Sequence, residues 1–391
     1  MTITDHSRAT ADAAHTHGAV VPTSSRAERR VSFDVKDFPM PTGREEEWRF
    51  TPMERLGATV DDAPIERTPV LTLEDLPAGV FVRQIEPADA RARSVRAPSD
   101  RAGALAASRA LRGVLMTVAP GTIAARPIEI GTTFQGGSLR VHFVMEVGAD
   151  AEVTLIVHYD GVAEISEFLS IDLGPRAHLN LVAIDESSLE AVHLSDLVVR
   201  IGEGAHLRGS MVTLGGGVAR KNVSVALAGE GGSVDLFGLY FAHAGQHNEH
   251  RTFIDHVAPR CRSRVTYKGA LAGESARTVW VGDVLIRAEA EGTDTYELNR
   301  NLILTDGARA DSIPNLEIET GEIAGAGHAS ATGRFDDEQL FYLRSRGITE
   351  EAARRLVVRG FFADVIQQIG VPKIERDLVQ AIEKALGSID D

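Results

Sequence analysis

The feature that most constrains the fold is a short pattern that returns about every 27 residues. A glycine, a small residue three positions on and an aliphatic residue two further on occur at Gly148, Gly174, Gly202 and Gly229, at intervals of 26, 28 and 27 residues. Between these glycines, polar and apolar residues alternate, which is typical of β-strands. A repeat of this length with strands and glycine corners but no helices predicts a β-solenoid.

Stacked coils would place the aliphatic residues of the pattern in one inward ladder. These residues are Val153, Leu179, Leu207 and Val234. The alternative is a meandering β-sandwich, which explains the strands but not their even spacing. After residue 260 the repeat loses its register, although the stretch from Gly307 to Asp311 resembles another corner.

Composition shifts along the chain predict four parts. Residues 1–32 are rich in Ala, Thr, Ser and His and lack an apolar stretch, so we expect a disordered tail without a secretory signal. Residues 33–112 mix a strand candidate with an alanine-rich helix, as in an N-terminal α/β domain. Residues 113–332 form the solenoid core, and residues 333–391 form a C-terminal helical domain.

Charge and cysteine usage narrow the function classes. The formal net charge is −15, which argues against a nucleic-acid partner because such proteins need a basic surface. No apolar run is long enough to span a bilayer. Cys261 is the single cysteine, so no disulfide forms within the chain and one thiol cannot hold an iron–sulfur cluster. We therefore expect a cytoplasmic protein in which Cys261 is a buried small residue.

The densest group of metal-ligand residue types surrounds four histidines. His243, His247, His250 and His256 lie within 14 positions. If these residues formed one strand, the side chains of His243 and His247 would point to one face and that of His250 to the opposite face. The three histidines could then not bind one metal ion unless a turn intervened. We expect these histidines to face solvent and keep His250, His256 and Cys261 as weaker site candidates.

His328 has a different setting, because it is surrounded by small residues. Gly325, Ala326, Gly327, Ala329, Ser330 and Ala331 flank it. Two interpretations stay open: a tight last coil in which only small residues fit, and a site that another backbone or a ligand approaches closely. A helix follows directly, with Asp336 as a candidate N-cap and Gly347 as its stop. A second helix starts at Thr349 and a third follows Pro372.

Five motifs in this chain resemble those of the SufD family. They are RFDDEQLFYLRSRGI at 334–348, REEEWRFTP at 44–52, SRVTYKG at 263–269, the TD…NRNL run at 293–302 and PNLEI at 314–318. SufD is a subunit of the SufBCD complex, which assembles iron–sulfur clusters. The resemblance covers nearly the whole chain except the N-terminal tail.

The resemblance implies a right-handed β-helix between an N-terminal domain and C-terminal helices. It further implies pairing with SufB through the β-helix, binding of the ATPase SufC through the C-terminal helices, and a homodimer in isolation. A SufD-like chain is a scaffold and not an enzyme, with ATP hydrolysis in SufC. The SufC contact falls on Leu340, Phe341, Leu343, Arg344 and Arg346.

His328 matches the family's histidine at the SufB interface. The resemblance implies that it binds iron or a nascent cluster together with a SufB cysteine, with no cofactor held by this chain alone. Many relatives have a cysteine two positions earlier, where this chain has Ala326. We also expect the small residues around His328 to let a partner solenoid approach it edge to edge.

Two other functions are alternatives for a chain of this composition. One is a β-helix carbohydrate-active enzyme of the extracellular type; such enzymes line a cleft with carboxylates and aromatics, but aromatic residues are only 5% of this chain. The other is an inert structural partner of SufB in which His328 only packs.

Overall fold

The structure is a computed structural model that describes residues 29–65, 67, 71–73, 75–335 and 337–387. Residues 1–28 of the expected tail lie outside the described residues. No helix in the described part of the chain combines the length and apolar character needed to cross a membrane.

Strands dominate the described chain. They are β1 (Leu71–Leu73), β2 (Val80–Ile85), β3 (Gly113–Val118), β4 (Ile128–Val147), β5 (Glu152–Leu173), β6 (His178–Asp185), β7 (Val192–Ile201), β8 (His206–Thr213), β9 (Val218–Leu227), β10 (Ser233–Ala242), β11 (His247–His256), β12 (Arg262–Leu271), β13 (Arg277–Ile286), β14 (Asp294–Ile303), β15 (Arg309–Ile318) and β16 (Gly325–Arg334). The helices are α1 (Pro87–Arg93), α2 (Arg101–Arg109), α3 (Asp337–Ser345), α4 (Glu350–Gln367) and α5 (Pro372–Gly387).

These strands form a parallel β-solenoid. The odd-numbered strands β7 to β15 pair in sequence along one half of the sheet, and the even-numbered strands β6 to β16 pair along the other. The halves join through β5, whose first part pairs with β6 and whose second part pairs with β7. Each coil therefore contributes one strand to each half, as the repeat predicts.

The predicted ladder is confirmed by the strand register. Val153 pairs with Leu179, Leu179 with Leu207, and Leu207 with Val234. All four side chains are buried in one core cluster. The sandwich alternative is wrong, because a sandwich would not stack these residues in parallel register.

The loss of register after residue 260 has a simple structural cause. Coils become longer toward the C-terminus: Ser263 pairs with Thr295, 32 positions on, and Thr295 pairs with Ala326, 31 positions on. The extra residues lie in the longer corners at 287–293 and 319–324. The repeat therefore continues to the last strand with a different period.

The N-terminal region packs on the outer face of the odd-numbered half. The REEEWRFTP motif supplies Trp48, whose ring lies 4.0 Å from the buried guanidinium of Arg220 on β9. Arg220 also bonds to the carboxylate of Asp100 at 2.5 Å, and Thr51 donates to Glu249 on β11 at 2.7 Å. The motif is therefore an anchor between two distant parts of the chain.

The C-terminal helices pack against the solenoid. Helices α4 and α5 bury Phe362, Ile366 and Leu378 against the outer face of the even-numbered half. The Lys268 ammonium on β12 donates to the Phe361 carbonyl at 2.8 Å and pairs with Asp364 at 2.6 Å. These helices therefore share one hydrophobic core with the solenoid.

Candidate functional site

The two ends of the solenoid differ in how their strand edges are covered. At the N-terminal end, β2 pairs antiparallel with β3, and β1 pairs antiparallel with β4. At the C-terminal end, within the described residues, β15 pairs only with β13 and β16 only with β14. Within the described part of the chain, neither of these ten-residue edges has a second strand, so each presents backbone groups that another strand can bond.

His328 lies in the middle of the bare strand β16. It pairs in register with Glu297 on β14, and its side chain is exposed. The described residues offer His328 no side-chain hydrogen bond and no ion pair. The imidazole is therefore accessible at the end of the solenoid.

The small residues around His328 are only partly required by the chain's own packing. A Cβ at Gly327 would lie 3.2 Å from the Tyr296 ring, so glycine makes room for that ring. A Cβ at Gly333 would meet nothing within 4 Å, and one at Gly325 would meet only Asp294 at 3.7 Å. The tight-coil interpretation therefore explains Gly327 but not the other two glycines.

Glu297, which the sequence analysis missed, lies next to His328 in the solenoid interior. It is 1% exposed, and no group of the described chain bonds to either of its carboxyl oxygens. Burial raises the pKa of Glu297 to about 8, so the carboxyl is neutral at pH 7. The only sequence signal was its position one coil before His328, which becomes visible once the 31-residue spacing is known.

The interior next to this rung is polar. Tyr240 donates to the Asn301 amide oxygen at 2.9 Å and accepts from Asn299 at 2.9 Å. Asn301 in turn donates to Asn299 at 2.8 Å. This network joins β10 to β14, the strand that also carries Glu297, so the C-terminal coils exchange an aliphatic core for a hydrogen-bonded one.

Three of the four clustered histidines do not face solvent, so the prediction is wrong for them, whereas His243 is half-buried. His247, His250 and His256 are buried on β11, because the solenoid interior covers one face of this strand and the N-terminal region covers the other. A corner separates His243 from the strand. Among the described residues no group of three or more His, Cys, Asp or Glu could hold a metal ion.

The weaker candidates His250, His256 and Cys261 make hydrogen bonds or ring contacts inside the solenoid. His256 bonds through Nε2 to Ser263 at 2.9 Å, and its Nδ1 lies 3.5 Å from Thr293. His250 stacks on Tyr240 with 4.9 Å between ring centres. Cys261 is buried, as predicted, and donates to the Gly229 carbonyl at 3.3 Å. Burial raises the pKa of the Cys261 thiol, which reduces its reactivity.

Helix α3 exposes a small aromatic surface. Phe341 is 75% exposed and Tyr342 is 56% exposed, while Leu343 is half-buried. Arg346 lies 5.1 Å from the Tyr342 ring centre, and Arg344 pairs with Glu350 at 3.2 Å. The side chain of Leu340 lies outside the described residues. Tyr342 was missed from sequence, although it lies inside the same motif.

Comparison with known proteins places this fold and site in a class. The family model for the SUF system iron–sulfur cluster assembly SufBD core domain matches residues 131–361, which include most of the solenoid, His328 and α3. The fold and the matched residues therefore define a parallel β-solenoid protein of the iron–sulfur assembly type. The chain belongs to the SufBD family.

Individual relatives agree with the family match. An iron–sulfur cluster assembly SufBD family protein of Mycobacterium bovis is 47% identical over 371 residues, covering 93% of both chains. One from Mycobacterium leprae is 45% identical over 377 residues, covering 94% of this chain and 96% of the relative. The iron–sulfur cluster assembly protein SufD of Escherichia coli is 25% identical over 380 residues, covering 89% of each. The SufD resemblance is confirmed.

Proposed function

We propose that this chain is a cytoplasmic scaffold subunit for de novo assembly of iron–sulfur clusters, which pairs with SufB and binds the ATPase SufC. The observation that carries the proposal is His328, exposed in the middle of a bare strand edge at one end of the solenoid. Family membership supplies the cluster-assembly context.

The bare edges suit a partner that is itself built from strands. An unpaired strand presents backbone N–H and C=O groups that a second strand can bond in register. Gly325 and Gly333 have no side chains that would project from β16 toward a partner, although no contact with the described residues requires glycine at these positions. SufB would lie edge to edge with β16 and bring its backbone close to His328.

The chemistry at this interface follows from what one imidazole can do. Iron binds imidazole and thiolate ligands, and the imidazole of His328 has no hydrogen-bond partner among the described residues. A cluster usually takes four ligands, so this chain would hold it only together with a thiolate of SufB. The cluster is the product that leaves the scaffold. This sequence has no phosphate-binding loop of the GxxxxGK(S/T) type, so ATP hydrolysis would take place in SufC.

The test is the iron and sulfide content of the purified complex after His328→Ala. We expect the complex to assemble, because the exposed ring removes little packing, and to lose most of its iron and sulfide. His178→Ala is the matched control, since His178 is also exposed on an even-numbered strand. Equal cluster content in all three complexes, with equal rescue of a strain lacking the gene, would leave His328 as a packing residue of an inert partner.

A further inference from the structure

One inward column of the even-numbered half changes character at the C-terminal end. Leu236, Val265, Glu297 and His328 occupy the same register position on β10, β12, β14 and β16. Residues in register on parallel strands point to the same side of the sheet. The column is therefore aliphatic in the inner coils and becomes a carboxyl and then an imidazole in the last two.

The Glu297 carboxyl is placed where a core residue should be apolar. A Cβ at Gly282 on the facing strand β13 would overlap the Trp280 ring and lie 2.7 Å from Glu297 Oε2, so the carboxyl crosses the interior and shares the space at this glycine with that ring. Burying a polar group without a partner destabilises a protein, because the group loses its hydrogen bonds to water. Native structures keep such groups when a ligand or a reaction needs them.

We propose that Glu297 is a second iron ligand of this chain, which binds the same ion as His328; this inference rests on the proposed function. Adjacent strands lie about 4.7–4.9 Å apart, so the two side chains start within reach of one ion on the inward side. Glutamate has three rotatable bonds, and its carboxyl can turn from Gly282 toward the open end.

The residues around the Glu297–His328 pair leave it accessible to an ion from the C-terminal end of the solenoid. Ala326 and Ser330, two positions before and after His328, take the same face of β16, and neither is large enough to cover it. The Glu297 carboxyl would release its proton to solvent as the ion binds. The resulting carboxylate and the imidazole are both donors that divalent iron accepts, and a thiolate from the partner would complete the set. Two ligands from one chain would hold the iron before the partner's thiolate is engaged.

The experiment uses Co²⁺ as an oxygen-stable stand-in for Fe²⁺, titrated into the full chain purified without metal. The readouts are the dissociation constant and the paramagnetic shifts of the Ala326 and Ala329 methyl groups, which report only an ion near this rung. We expect Glu297→Gln to weaken binding by at least the roughly 10–100-fold that loss of an outer-shell partner costs, so that the shifts disappear at a Co²⁺ concentration near the native dissociation constant. Urea unfolding of the variant checks that the fold is kept.

Asp294→Asn is the matched control. It removes the same charge from the same strand, but Asp294 pairs with Arg264 at 2.5 Å instead of entering the interior. Glu297→Asp, which keeps the carboxyl, should restore part of the affinity. Unchanged binding and shifts in Glu297→Gln would overturn the inference, as would the absence of Co²⁺ binding by the native chain.

His328→Ala separates this inference from the proposed function. Loss in both variants supports both. Loss in His328→Ala with retention in Glu297→Gln overturns only the glutamate ligand. Loss in Glu297→Gln with retention in His328→Ala overturns the shared site, because the ion then binds without His328, and it also contradicts the proposed function.

Discussion

Two buried tyrosines in the C-terminal coils form a natural comparison. Each ring covers a glycine of the neighbouring strand, Tyr240 at Gly269 and Tyr267 at Gly238. The hydroxyl of Tyr240 has two amide partners, whereas no group in the described chain bonds to that of Tyr267. Comparing the two tyrosines therefore separates the contribution of a hydroxyl group to stability from that of an aromatic ring.

We expect Tyr240→Phe to lower the free energy of unfolding by about 1–3 kcal/mol, because it leaves the Asn299 and Asn301 amides short of a partner. Tyr267→Phe should be neutral or stabilising, since the removed hydroxyl makes no bond. Urea unfolding of both variants against the native chain measures the difference. Equal losses would mean that Tyr267 has a hydrogen-bond partner after all.

Glu297 shows what limits the prediction of single residues from sequence. A lone glutamate in an alternating strand gives no sign of its partner until the coil length is known, and the coil lengthens after residue 260. The burial of His250 was mispredicted for a related reason. The residues that cover both faces of β11 come from parts of the sequence far from it, which period-two alternation does not report.

At the scale of elements, α3 is the clearest surface for a partner. The apolar ring of Phe341 is 75% exposed, and contact of such a ring with water does not stabilise the isolated chain. Exposed aromatic and arginine residues are typical of interface hot spots. We expect Phe341→Ala to weaken SufC binding by roughly 30-fold, the equivalent of about 2 kcal/mol. Binding of purified SufC to the full chain, measured by calorimetry, checks this.

The control for that variant is Leu356→Ala on α4, a second large apolar residue at 50% exposure. It should leave SufC binding unchanged, and both variants should unfold at the native urea concentration. Unaltered affinity in Phe341→Ala would refute the assignment. Point variants are needed here because deletion of residues 336–391 would also remove the α4 and α5 core.

The helices themselves were predictable, whereas their packing was not. The side chain of Thr349 caps α4 by accepting from the Ala352 amide, as its position suggested, and α5 begins at Pro372. Apolar residues four apart on α5 indicate a buried face. The surface that receives the two helices is built from β5, β6, β8, β10 and β12, whose contributing residues run from Ile156 to Ala270, so no local pattern identifies it.

For the molecule as a whole, buried neutral histidines predict acid sensitivity. Burial lowers the pKa of His142 and His256 to about 4 and that of His250 to about 3, from 6.5. The unfolded chain binds protons at these sites between the two values and the folded chain does not. Stability is therefore lost as the pH falls below 6.5, and each histidine accounts for about 2 kcal/mol at pH 5.

Urea unfolding at pH 7.5, 6 and 5 measures this dependence. The midpoint should fall with pH, and His250→Phe, which keeps a ring beside Tyr240, should reduce the slope. A midpoint that is constant across this range would show that the folded chain takes up protons at the buried rings.

The uncovered end of the solenoid also bears on the lifetime of the subunit. In a linear array each coil is held by its neighbours, and the last coil has a neighbour on one side only, so opening it requires a small part of the total free energy. A chain without its partner exposes that coil to proteases and to a second copy of itself, whereas a bound chain does not. The supply of the partner would then set how long each newly made subunit survives, and the two subunits would be kept at matching levels by degradation of the excess.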